Sequence, residues 1–138
     1  MILSQTSVYA LKAVIHLATH GAGGPVRVDD IAVALDVPRN YLSKILHVLA
    51  RGGVLRSTRG PHGGFELALR PEDMLLTKVV ENFDDLVDAS PCLLGRSECS
   101  DADPCAAHTR WKSTSIAVRS FFNDTTVADL SRTEVTPV

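Results

Sequence analysis

The sequence predicts a mainly α chain with one small β-hairpin and a long C-terminal helix. Three observations carry this. Apolar residues recur at helical spacing through residues 4–20 and again through residues 28–51. The run VLRSTRGPHGGFELAL sets two β-prone stretches either side of a glycine-rich tip. After Pro104, the stretch CAAHTRWKSTSIAVRSFF has a helix-compatible composition, and Pro104 is expected in its first turn.

With 138 residues and 45% apolar composition, the chain has material for one compact domain with a core. No apolar run approaches a membrane span or a secretory signal, so a cytoplasmic chain without a membrane partner is expected. Its formal net charge of -2 is unevenly spread: residues 1–70 carry eight Lys or Arg against four Asp or Glu, and residues 71–138 carry six against twelve. A basic half on a weakly acidic chain points to a polyanionic partner for that half alone.

The first helix spans Ser4 to His20 on Val8, Leu11, Val14, Ile15, Leu17 and Ala18, and GAGGP stops it. His16 and His20, at i and i+4, read as a solvated or intersubunit helix edge, since no further ligand neighbours them. Asp29 or Asp30 opens a short apolar helix, DVP makes a turn, and RNYLSKILHVLARGG is a helix ended by glycines, with Pro38 in its first turn. Two helices joined by a tight turn are a helix-turn-helix signal. Tyr41, Leu42, Ile45, Leu46 and Leu49 form the inward stripe of the second. Its outward face shows Arg39, Asn40, Ser43, Lys44 and His47, residue types that donate to phosphates and base edges; an ordinary solvated face is the plainer alternative.

The hairpin places Arg56 on its first strand and Arg59, Gly60, Pro61, His62, Gly63 and Gly64 at its tip. A hairpin after a helix-turn-helix is a wing, and an arginine at its tip suits the negative potential of a narrow minor groove; the alternative is plain turn chemistry. LLTKVVENFDDL is a further short amphipathic helix. The helix after Pro104 would reach about 27 Å at 1.5 Å per residue. Trp111, Ile116, Val118, Phe121 and Phe122 give it apolar material, to be covered by a second copy or by the chain's own core. TTVADLSRTEVTPV begins as a Thr-capped short helix.

Cys92, Cys99 and Cys105 are the only cysteines, and His108 completes a set of four ligands within seventeen residues, spaced Cys-x6-Cys-x5-Cys-x2-His. Gly95, Pro91 and Pro104 make the first part an irregular loop, whereas Cys105 and His108, at i and i+3, are expected on one helix face. Thiolates select zinc, copper(I) or iron-sulfur clusters and imidazole suits all of these, so the spacing alone leaves the group open. A disulfide with one free thiol is a further alternative. With no Cys-x-x-Cys, no dinucleotide-binding glycine signature and no Ser-His-Asp set, an enzyme is not expected.

The stretch from Ile31 to Asp85, with YL-x-K-I-L at Tyr41–Leu46 and the R-G-x-x-G-G wing at Arg59–Gly64 followed by Phe65, closely resembles the winged-helix regulators of the Rrf2 family. With the SVYALKAVIHLA start and the ligand loop, the resemblance covers nearly the whole chain. It implies a winged helix-turn-helix DNA-binding domain over residues 1–90, a cluster-binding loop over 91–108, and a dimerisation helix with the C-terminal segment over 105–130. It further implies a homodimeric repressor on a pseudo-palindromic double-stranded operator, sensing iron-sulfur, redox or nitric oxide status. Arg39, Asn40, Tyr41, Ser43 and Lys44 would contact the major groove and phosphates, and Arg56, Arg59 and His62 would act from the wing.

Within the family, His108 followed by Trp111 is in the register of the IscR-like branch and implies a 2Fe-2S cluster on Cys92, Cys99, Cys105 and His108. The NsrR-like branch can use an aspartate near the start of the first helix, where this chain has Val8. The first spacer of six residues departs from the family's usual five or fewer, and Glu98, Asp101 and Asp103 stand nearby as oxygen donors. A 4Fe-4S cluster is therefore the alternative, followed by cluster-free or zinc-bound thiol control or a partner-binding regulatory protein.

Overall fold

The computed structural model describes residues 3–84, 102, 104 and 106–132. Helix α1 (Gln5–His20) is opened by Ser4, whose hydroxyl accepts from the Ser7 amide at 3.2 Å, and it ends at Gly21, whose amide bonds the Leu17 carbonyl. Helix α2 (Val28–Leu35) starts one residue before the expected aspartates, so Asp29 and Asp30 occupy its first turn, where the positive end of the helix dipole favours them. It ends at Asp36, the one non-glycine residue with positive φ (53°) among the described residues, in the left-handed conformation that a short polar side chain tolerates.

That reversal lets the buried Val37 dip back into the core before α3 (Arg39–Arg51) begins. Pro38 caps α3 from outside, at φ -55° and ψ 130°, instead of lying in its first turn as the sequence suggested. Leu42, Ile45, Leu46 and Leu49, spaced i, i+3, i+4 and i+7, are all buried. Tyr41 is not part of that stripe: it sits at the stripe's edge, is 36% exposed, and turns toward the start of α1.

Strands β1 (Leu55–Thr58) and β2 (Gly64–Leu67) pair antiparallel, with Arg56 opposite Glu66 and Ser57 opposite Phe65. Phe65 exchanges both backbone hydrogen bonds with Val26, at 2.8 and 2.9 Å, which ties the hairpin to the chain entering α2. Gly64 makes this possible. Its φ is 152°, and a Cβ there would collide with the Val26 carbonyl.

Helix α4 (Leu76–Val80) is short, and Asn82 caps its end by donating to the Lys78 and Val79 carbonyls at 2.9 and 3.1 Å. Helix α5 (His108–Asp124) begins four residues after Pro104, with Ala107 as its cap, so the expectation of a proline in its first turn fails. Ala106 and Ala107 form a turn, and the first helical bond runs from the Trp111 amide to the Ala107 carbonyl at 2.9 Å. Whether Cys105 shares a face with His108 lies outside the described residues.

Helix α6 (Val127–Ser131) has a full capping box between Thr126 and Asp129 and packs on α1. The backbone pairs Leu76 with Thr125 and Val127 with Met74, at 2.9 and 2.8 Å, stitching the C-terminal end to the start of α4. Val127 and Phe122 thereby join the core that α1, α3 and α4 build. No helix among the described residues is long and apolar enough to cross a membrane.

Candidate nucleic-acid interface

Burying Leu42, Ile45, Leu46 and Leu49 leaves the opposite face of α3 to solvent. Arg39, Asn40, Lys44 and His47 are exposed there, and Ser43 is half-buried. The Arg39 guanidinium is held: its Nε donates to Oδ1 of Asp29 on α2. His47 leans edge-on against Phe65 of the hairpin, ring centres 5.4 Å apart, and so fixes the wing relative to α3.

Tyr41 shares a 2.7 Å hydrogen bond with the Thr6 hydroxyl and meets the Tyr9 ring edge-to-face at 5.8 Å. Tyr9 in turn accepts from Gln5 Nε2 at 2.9 Å and lies under Lys12 Nζ at 5.9 Å. The N-terminal turns of α1 therefore adjoin the recognition face with a set of polar groups that sequence reasoning missed. The signal was there in QTSVYALK, but only the fold brings Thr6 to Tyr41, thirty-five positions on.

On the wing, Arg56 donates to Glu66 across the strands at 3.2 Å, whereas Arg59 and His62 stand exposed at the tip without an ion pair among the described residues. Glu66 and Asp29 are the other two partners the sequence did not disclose. The hairpin register explains the first, since 56 and 66 are equidistant from the tip. Lys44 on α3 and Arg59 at the tip are exposed cations without an ion pair among the described residues, as a surface that meets phosphates requires.

At the N-terminal cap of α1, Asp84 accepts two hydrogen bonds from Ser4, from the amide at 3.0 Å and the hydroxyl at 2.9 Å. The buried Ser7 hydroxyl faces the same carboxylate outside hydrogen-bond geometry. Partial burial pushes the Asp84 carboxyl up, and the Ser7 and Ser4 groups outweigh it, so it titrates below the ordinary carboxylate range. His16 and His20 stack at 4.5 Å, and burial, then repulsion from His20, lowers the pKa of His16.

Cys92, Cys99 and Cys105 lie outside the described residues. Among the described residues no three His, Cys, Asp or Glu side chains converge as a metal site. His108 is buried, 8% exposed, at the first position of α5.

Two helices across a tight turn, a cationic wing locked onto the second of them, and a polar recognition face define a winged helix-turn-helix DNA-binding protein. Residues 3–133 match the family model described as Rrf2, iron-dependent transcriptional regulator, and the chain belongs to that family. Its members are transcriptional regulators and not enzymes. An Aquifex aeolicus protein assigned as an HTH-type transcriptional regulator is 38% identical over 97% of this chain and 94% of its own length. The HTH-type transcriptional regulator IscR of Vibrio atlanticus is 33% identical over 96% of this chain and 76% of its own. The solved structure of CymR, the global cysteine regulator of B. subtilis, superposes with a TM-score of 0.79 at 23% identity, over 94% of this chain and 95% of that one, a likeness of fold.

Proposed function

We propose that this chain is a cytoplasmic homodimeric repressor that holds an iron-sulfur cluster on Cys92, Cys99, Cys105 and His108. In this reading the state of the cluster sets the grip of two recognition helices on a pseudo-palindromic operator. The observation that carries it is the position of His108: an imbedded imidazole at the first residue of α5, directly behind the segment that bears all three cysteines.

Three thiolates with one imidazole are a donor set that suits such a cluster. The Cys-x2-His register favours 2Fe-2S, with 4Fe-4S as the alternative. When bound, the cluster supplies iron that responds to oxidants, nitric oxide or iron supply. The remaining work falls to the chain. His108 would ligate through a neutral ring nitrogen. Ile116 and Phe121, 46% and 51% exposed on α5, offer apolar surface to a second copy. Arg39, Asn40, Tyr41, Ser43 and Lys44 then meet the major groove and phosphates while Arg56, Arg59 and His62 act from the wing. A difference of a few kcal/mol between the loaded and empty states suffices to move an operator from mostly bound to mostly free.

Anaerobic purification with iron and acid-labile sulfide quantitation tests the reading, paired with duplex binding of loaded and stripped protein. Sulfide near stoichiometry and a changed affinity are expected. Protein that binds zinc or no metal, or grips the duplex equally in both states, overturns it.

A further inference from the structure

Asp29 is the second residue of α2 and Arg39 the first of α3, so the helix-turn-helix brings an acid and a base ten positions apart into contact at its outer rim. Contact is made through one atom of each, Arg39 Nε and Asp29 Oδ1. Both side chains remain 55% exposed. We propose that Asp29 is a positioning residue for DNA readout, holding Arg39 by its Nε so that the two terminal nitrogens face the duplex as a fixed fork.

The chemistry of arginine favours this. Of its five N–H donors, one is taken by Asp29; the remaining four lie on Nη1 and Nη2, whose planar geometry matches a phosphate or the O6 and N7 edge of guanine. An exposed ion pair of this kind contributes little to folding. A carboxylate beside a polyanion also costs affinity by repulsion. What it does supply is direction: an unrestrained arginine reaches whichever phosphate is nearest, whereas a tethered one reaches a single place. Asp30, next in sequence and equally acidic, is exposed and engages no cation among the described residues, so it serves as an internal control for charge alone.

The inference rests on α3 reading DNA, and the experiment separates the two. Full-length protein is titrated by fluorescence anisotropy against two labelled duplexes: one selected from random-sequence DNA by the wild type, and one with the same bases scrambled. Asp29→Ala is expected to lower the ratio of selected to scrambled affinity by about tenfold, the scale of one bidentate base contact. The scrambled duplex should bind as tightly as before or more tightly. Asp30→Ala should shift both duplexes together, and Asp29→Glu should recover part of the ratio. Reselection with Asp29→Ala should lose its preference at one base pair in each half-site. If Asp29→Ala moves both affinities by one common factor, as Asp30→Ala does, the positioning role is overturned while α3 remains the reader. A wild type that enriches no sequence overturns both.

Discussion

A single carboxylate oxygen of Asp84 accepts both the amide and the hydroxyl of Ser4, so the chain just after α4 is fastened to the cap of α1. The same Ser4 hydroxyl accepts from the Ser7 amide, which makes the three groups one network. Two residues further along, Thr6 bonds Tyr41 of α3. The N-terminal end of α1 thus carries both the Asp84 contact and a hydrogen bond to α3.

Asp84→Ala and Ser4→Ala are each expected to lower stability by about 1 kcal/mol, the usual cost of a lost helix cap, and the double variant by less than the sum. Urea unfolding of the four proteins checks it. The pH sign follows from the depressed carboxyl: its contribution is complete above the pKa of the unfolded chain and is lost as pH falls through the folded value. The difference between wild type and Asp84→Asn should accordingly shrink on acidification.

Lys44→Ala removes an exposed cation from α3 without touching the core. It should weaken binding to all duplexes alike and reduce the slope of log affinity against log salt by about 0.9. Leu46→Ala, at a position with no exposure, should instead cost about 2–5 kcal/mol of folding stability. Salt titrations and thermal melts separate the two.

Much of this was legible beforehand because periodicity reports burial. The stripe of Leu42, Ile45, Leu46 and Leu49 and the glycine-rich tip fixed the order helix, turn, helix, wing. Tyr41 was misplaced because helical spacing does not resolve an aromatic at the edge of a stripe from one inside it; what decided its side was a hydroxyl partner on a distant helix. The start of α5 was misplaced because proline tolerates a first turn without requiring one. The pairing of Arg39 with Asp29 depends on how two helices cross, which no local pattern encodes. The proposed ligand set is the converse case: Cys92, Cys99, Cys105 and His108 stand out in the sequence by type and spacing, and the arrangement of the three cysteines lies outside the described residues.

If the proposed cluster and dimer hold, His108→Ala should shorten the cluster's lifetime in anaerobic protein, followed by visible absorption, while sedimentation equilibrium still reports a dimer. An unchanged lifetime removes His108 from the ligand set.

Ile116→Glu with Phe121→Glu places two carboxylates on the exposed apolar surface of α5. Sedimentation equilibrium should then show monomer, and affinity for a palindromic duplex should fall far more than affinity for a half-site. Unaltered association would place the dimer contact elsewhere.

Helix α6 comes home to α1, the helix whose first turn Asp84 also grips. The C-terminal end of α5 is anchored in the same body, through Phe122 in the core and the backbone bond from Leu76 to Thr125. A partner that grips α5 therefore pulls on the body that carries the helix-turn-helix.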